Sequence, residues 1–401
     1  MMYGSFPSEA ARPPVRQDPL EALAWHHAWA LQLVGQLDDS QIRTQYHPEL
    51  SPVGWHIGHC ALVEHFWIEE TILGAEADEE LHDLYFPERN RKEERGCRLP
   101  SGEALRHWAG SVHRRTLEFL AKPPVPLAEH PMMREGYLAH FLEQHYAQHC
   151  ETLCYCLAAM SVGDHQTADL PLSEAVRPAP VSGTSVRLPA GEYSVGTNNV
   201  RGYDNERPAH TVCLAGSELA CSPVTNAQWL AFMSAGGYDP SAPWWSVEGA
   251  TWLRATGVDC PWTWHIDHVG RFAWKGAYGF KALAAEAPVS GVSFYEAHAF
   301  ATWAGARLPH EFEWEAAADL GLLQNVGYVW EWCSNTLAPY PGFRAFPYDG
   351  YSTPWFDGHH FVLRGSSIYT EPGLRRHSFR NFFEPHARHH FGGLRLAFDG
   401  C

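Results

Sequence analysis

Between residue 19 and about residue 162, apolar side chains recur at the three- and four-residue spacing of a helical face. In the run LEALAWHHAWALQLVGQL, Leu20, Leu23, Ala24, Leu31, Val34 and Leu37 gather near one side. Ser51-Pro52 opens a second helix, with Ser51 read as N-cap and Pro52 as first helical residue, continuing through GWHIGHCALVEHFWIEETIL. Ser101 caps a third, SGEALRHWAGSVHRRTLEFLA, with Glu103 near its positive end and Pro123-Pro124 closing it. A fourth spans about 134–161. Four amphipathic segments of this length predict a four-helix bundle over residues 19–162. The connection LHDLYFPERNRKEERGCRLP is long, which marks a functional or mobile loop.

After this the texture changes. Residues 163–183 read as a linker ending in RPAPVSG, and residues 1–18 as a loose Pro- and Ser-rich arm. From 184 to 401, Gly, Pro, Trp and short β-type runs dominate: SVRLPAGEYSVGT, HTVCLAGSEL, HFVLRGSS and GGLRLAF. Helical patches interrupt them at VTNAQWLAFMSAG and SFYEAHAFATWAGARLPHEFEWEAAA. The fold class predicted is multidomain, an α bundle followed by one α+β domain with much irregular backbone.

Composition bounds the function. With 401 residues, 45% hydrophobic and 19% charged, the chain can build two or three cored domains. Twenty-nine basic against 46 acidic residues leave a net charge of -17, which disfavours binding to phosphate backbones, so no nucleic-acid partner is expected. No apolar run reaches membrane-spanning length and no leader-like apolar segment opens the sequence, so no membrane partner and a cytoplasmic location are expected. Ten cysteines without CxxC spacing suit a reduced protein with mostly buried thiols. The 25 histidines are the first hint of chemistry, because imidazole is the commonest metal ligand.

The sharpest local signal is His145-Tyr-Ala-Gln148-His149-Cys-Glu151 on the fourth predicted helix. Residues four apart share a helical face, so His145 and His149 can address one ion. Glu151 lies about 120° off that face, which suits a group orienting a ligand better than a ligand. The third ligand comes from another helix, where His56, His59 and His65 are available. Cys150, Cys154 and Cys156 read as core packing. Three neutral imidazoles leave an ion its charge and open positions, which fits a substrate-binding iron(II) or a catalytic zinc.

His145-x3-His149-x-Glu151, preceded by Ser51-Pro52-Val-Gly-Trp55-His-Ile-Gly-His59, resembles the metal-binding DinB-like bundle of the ergothioneine-type sulfoxide synthases. The second half is similar to the formylglycine-generating-enzyme-like domain that completes those enzymes. The matching runs include Glu206-Arg-Pro-Ala-His210, Pro223-Val-Thr-Asn226, Ala306-Arg-Leu-Pro-His-Glu311-Phe-Glu-Trp314-Glu, Val329-Trp-Glu-Trp332 and Phe379-Arg-Asn381-Phe382 to Gly393-Leu-Arg395. The resemblance implies iron(II) as cofactor and dioxygen as co-substrate. It further implies formation of a carbon–sulfur bond between the imidazole of hercynine (or histidine) and a small thiol, giving a sulfoxide. It assigns His59, His145 and His149 to the iron, Gln148 to a hydrogen bond with the substrate, and Glu151 to support around the ligands. It places a proton-donating Tyr348 beside a substrate-binding Tyr351, and an Asn381–Phe382 pair against the histidine-derived substrate. A betaine carboxylate calls for an arginine, for which Arg344, Arg380 and Arg395 are candidates.

Departures from the pattern bear on the sulfur donor. Where relatives that use γ-glutamylcysteine carry an aspartate and an arginine, this chain has Phe383 and Ala387, which favours a smaller donor such as free cysteine. A selenosugar, as in selenoneine synthases, is the alternative donor; whichever donor is used, Tyr85, Arg95 and Arg98 in the long loop are candidates to read it. His56 stands where the family commonly has an acidic residue. The cysteine pair of the formylglycine-generating enzymes proper is missing from 366–395. Two other classes compete: a metal-dependent DinB-type thiol transferase and a non-catalytic binding module.

Overall fold

The computed structural model of the chain describes residues 18–127, 129–160, 176–181, 183–267 and 270–399. The expected arm at 1–18 and most of the expected linker at 163–183 lie outside the described residues. The chain divides into two compact units, one formed by the N-terminal helices together with Thr370–Leu374, the other by the rest of the second half.

The first unit contains α1 (Pro19–Gln36), α2 (Asp39–Arg43), α3 (Val53–His65), α4 (Glu79–Tyr85), α5 (Lys92–Arg98), α6 (Gly102–Ala121) and α7 (Tyr137–Met160). The four long helices form the bundle: α1 and α3 each pack against α6 and α7. Asp18 starts α1 by accepting from Leu20 N–H at 3.0 Å, with a proline in the first turn. Ser101 starts α6 by accepting from Ala104 N–H at 3.2 Å. Helix α3 is buried from Val53 to Glu64, its polar His56, His59 and Glu64 included. Leu374 is buried, and its segment Pro372–Leu374 packs on α7.

Two helix starts differ from expectation. Pro52, not Ser51, occupies the cap position of α3, because the Ser51 hydroxyl accepts from Arg95 Nη1 at 2.5 Å and does not bond α3. Helix α7 begins at Tyr137, since Glu135 and Gly136 hold φ values of 52° and 70°, outside helical geometry.

The long connection is folded rather than loose. Trp55 Nε1 donates to the Leu84 carbonyl at 2.8 Å, one of the α4 C-terminal carbonyls left without a helical partner. Asn90 Nδ2 donates to the same carbonyl at 2.8 Å. Arg95 is buried, donating to Asn90 Oδ1 at 2.6 Å and lying 3.8 Å from the Trp55 ring. Gly58 lets Tyr85 approach, since a Cβ there would stand 2.0 Å from Tyr85 Cε1.

In the second unit, the central sheet joins Asn381–Phe383 to Phe361–Arg364 and that to Trp330–Thr336, all antiparallel, with Gly392–Gly393 added in parallel. A three-stranded sheet pairs Ser217–Ala220 with Ser185–Leu188 and Ala397–Asp399, so the two ends of the domain meet. The helices are α8 (Asn226–Ser234), α9 (Val247–Thr256), α10 (Phe294–Trp303) and α11 (Glu311–Asp319). Gly305, at φ 67°, separates α10 from α11 within what reads as one patch. Helix α9 escapes the hydrophobic pattern because only Gly249, Ala250 and Leu253 are buried on it.

Trp229, Trp314, Trp330 and Trp332 fill the core, and buried ion pairs stand among them. Arg395 grips Glu331 with two hydrogen bonds of 2.8 and 2.9 Å, both side chains fully buried, and Trp314 Nε1 donates to the same carboxylate at 2.7 Å. Arg380 grips Glu311 in the same way at 2.8 and 2.7 Å, and Arg364 joins it at 2.7 Å. Burial opposes ionisation of Glu311, but Arg380 and Arg364 hold its carboxyl down at about 2.

Two stability predictions follow from these contacts. Glu331→Ala leaves the buried Arg395 uncompensated and is expected to lower stability by about 3–5 kcal/mol. Gly58→Ala overpacks the α3–Tyr85 contact and is expected to lower it by about 1–3 kcal/mol. Thermal and urea unfolding of each full-length variant against the parent chain measure both; an unchanged midpoint for either contradicts the corresponding contact.

Candidate metal centre

Helix α7 presents His145 and His149 one turn apart, and α3 presents His59 toward them. The ring centroids are 4.6 Å apart for His145–His149, 4.9 Å for His59–His149 and 5.1 Å for His59–His145. One nitrogen from each ring lies within 4.8 Å of the other two. Burial favours the neutral form throughout: it pushes His59 down to about 4 and His145 and His149 well below the usual imidazole range. A neutral imidazole is the form that binds a metal.

Two of the three rings are oriented from outside the cluster. His59 Nδ1 donates to the Tyr85 carbonyl at 2.9 Å, the last residue of α4, and the His59 ring stacks on Trp55 at 4.9 Å. His149 Nδ1 shares a hydrogen bond of 3.1 Å with His56 Nδ1. These bonds use Nδ1 of both rings and leave Nε2 of both for an ion. His145 Nδ1 is buried without a hydrogen-bond partner, as is His56 Nε2. Three neutral nitrogens from two rigid helices, one with its tautomer fixed by a backbone carbonyl, fit a divalent transition metal with open positions.

The other sequence candidates fall as follows. Gln148 is half-buried on α7. Glu151 is buried, and Thr370 Oγ1 donates to it at 2.7 Å. His65 lies outside the cluster, 3.5 Å from Glu70. Tyr348 is 45% exposed, and Tyr351 stacks on Tyr203 at 4.4 Å. Asn381 Oδ1 accepts from Phe382 N–H at 3.0 Å, and the Phe382 ring packs near Trp355 and His360. Of the candidate arginines, Arg380 and Arg395 are committed to Glu311 and Glu331, whereas Arg344 is exposed.

Of Tyr85, Arg95 and Arg98, expected to read the donor, the first two are buried and Arg98 is exposed. The Tyr85 ring is buried and stacked on Trp108, Arg95 is bonded to Ser51 and Asn90, and Arg98 Nη1 donates to the Asp83 carbonyl at 2.9 Å. What the connection contributes is a backbone carbonyl to His59, which side-chain patterns cannot reveal. The available signal was Gly58, an isolated glycine inside an apolar helix that marks a close approach.

The chain matches the DinB superfamily over residues 22–153 and the sulfatase-modifying factor enzyme 1-like domain over 173–319 and 318–400. It is 31% identical to a hercynine oxygenase of Mycolicibacterium smegmatis, covering 96% of this chain and 99% of the relative. It is 32% identical to a hercynine oxygenase of Mycobacterium tuberculosis, covering 94% of this chain and 99% of the relative. A formylglycine-generating enzyme of Streptomyces coelicolor is 34% identical over 39% of this chain and 52% of its own length. With both component domains in order and similarity running almost end to end, the chain belongs to the hercynine oxygenase family.

Proposed function

We propose that this protein is a non-heme iron(II) oxidoreductase that uses dioxygen to join the imidazole ring of hercynine to a small thiol, free cysteine foremost, giving a sulfoxide. The observation that carries this reading is the convergence of His59, His145 and His149, with nitrogens within 4.8 Å of one another, in a member of the hercynine oxygenase family.

His59, His145 and His149 are the residues that hold the metal. Iron(II), when bound, supplies open coordination positions for substrate and the electrons that activate dioxygen. The chain's own groups do the rest. The Tyr85 carbonyl holds His59 in one tautomer, which leaves its Nε2 lone pair for the ion, and His56 hydrogen-bonds the Nδ1 of His149 and so orients that ring. Gln148, Tyr351, Asn381 and Phe382 orient the betaine, the aromatic faces attracting its quaternary ammonium. Tyr348 moves the proton; its exposed phenol supports that role better than the ring of Tyr351, which is packed on Tyr203. Glu151 supports the α7 ligands from its place two residues beyond His149.

The donor reading rests on Phe383 and Ala387. Ala387 is buried and Phe383 stacks on His390 at 4.4 Å, so neither position offers a charge to a dipeptide. That supports cysteine over γ-glutamylcysteine.

Two measurements test the proposal. Anaerobically purified chain is expected to take up iron(II) and, with hercynine, cysteine and oxygen, to form the coupled sulfoxide by mass spectrometry. γ-Glutamylcysteine and a selenosugar run as parallel donors. His149→Ala is expected to lower both iron affinity and turnover by at least about 10–100-fold, the scale seen when metal-site groups are removed. Full activity with zinc under argon contradicts the oxygenase. In the second, Tyr348→Phe is expected to keep iron binding and divert the reaction toward oxidised thiol. An unaltered product ratio removes Tyr348 from the mechanism.

A further inference from the structure

A second set of metal-ligating side chains lies in the bundle core, sharing no residue with the first. His27 comes from α1, Glu64 from α3 and His113 from α6, at 4%, 0% and 4% exposure. One donor atom from each lies within 4.8 Å of the other two. His27 Nε2 and Glu64 Oε1 are 2.6 Å apart, and the His27 and His113 rings stack at 3.7 Å with planes 12° apart. His113 Nε2 is tied to the Tyr146 hydroxyl of α7 at 2.5 Å. All four bundle helices therefore meet at one polar point inside an apolar core.

This point is incompletely satisfied. His27 Nδ1, His113 Nδ1 and Glu64 Oε2 are all buried without a hydrogen-bond partner. Buried polar atoms are rarely left so, and three in one cluster indicate a missing partner. A water can supply hydrogen bonds, but it leaves Glu64 to keep its proton, since burial raises its carboxyl to about 7, only Thr116 and His113 oppose this, and no Lys or Arg pairs with it among the described residues. A divalent cation takes one donor atom from each of the three residues and balances the ionised carboxylate. Two imidazoles and one carboxylate, from three different rigid helices, make the nitrogen–oxygen donor set of zinc-class ions. Burial supports the ligand form of the rings, pushing His27 and His113 each down to about 3, and lifts the Glu64 carboxyl to about 7, so an ion must displace a proton there. Thr116 and the Glu69–Arg115 pair cover Glu64 from the surface, so an ion enters as the chain folds or opens locally.

We propose that His27, Glu64 and His113 form a second metal site, binding a divalent ion of the zinc class that ties α1, α3 and α6 together. Binding opens the His27–Glu64 hydrogen bond and slides the stacked rings apart by a small rotation. The bridging proton leaves to solvent, as metal binding to protonatable ligands requires. The site is structural, because it is enclosed by protein on every helix.

The test is zinc stoichiometry on chelator-stripped full-length protein, with zinc itself as probe. The parent chain is expected to bind two equivalents. His145→Ala/His149→Ala is expected to retain one, whose uptake raises the melting temperature, and Glu64→Gln is expected to remove that one while sparing the other. A parent chain that binds a single equivalent, lost in His145→Ala/His149→Ala, overturns the proposal. So does an unchanged stoichiometry in Glu64→Gln. Should Glu64→Gln fail to fold, anomalous diffraction from zinc-soaked crystals of the parent chain decides. A peak among His27, Glu64 and His113 supports the site, and density elsewhere or none there refutes it. Because the readout is metal counted at named residues, it stands or falls apart from the oxygenase reading.

Discussion

Burying imidazole without its charge is the constraint on which the helical unit depends. A neutral imidazole keeps one donor and one acceptor that an apolar core cannot solvate, so each buried ring must find partners or bind something. Around His59 and His149 the partners are assembled in advance. The Tyr85 carbonyl takes one proton, His56 engages the other ring, and Trp55 covers the face of His59. The insert between α3 and α6 then has a physical purpose. It ends α4 at the point where unpaired helix carbonyls face Trp55 and His59, and Arg95 and Asn90 lock that end in place. Rigidity around the rings matters because ligand geometry is fixed by the groups behind the ligands.

How much of this was legible depended on whether the signal was local. The four-residue step from His145 to His149 is a property of any α-helix, so their shared face could be read directly. Which of His56, His59 and His65 faces them could not be read from spacing, because the phase of α3 is set by packing on α6 and α7. The start of α7 was missed because a left-handed turn at Glu135–Gly136 looks like helix in composition. Thr370–Leu374 joins the helical unit across more than 200 positions of chain, a contact no local pattern encodes.

The second unit shows the same limit with arginines. Arg380 and Arg395 invite a role in holding a substrate carboxylate, since bidentate pairing is what guanidinium does best. The fold spends that capacity internally. Both are buried against glutamates from α11 and the central sheet, and Trp314 completes one of the pairs. A sequence shows which residues are able to pair with a carboxylate, but not whether the carboxylate belongs to the protein. Arg344, exposed on the segment leading to Tyr348, is the candidate that the internal pairs leave over.

His56 carries one more consequence. A carboxylate behind a ligating histidine pulls its proton and makes the ligand more electron-rich, whereas an imidazole accepts the same hydrogen bond as a neutral group. A ligating His149 with His56 as partner would donate less charge to an ion than with an acidic neighbour. With His149 as the donor, the acceptor nitrogen of His56 is occupied and its own proton falls to the buried, unpartnered Nε2. Replacing that pair by a carboxylate would place an anion among buried rings without a basic residue bonded to it. In so enclosed a cluster, the neutral partner is the arrangement that orients His149 without adding a charge to the core.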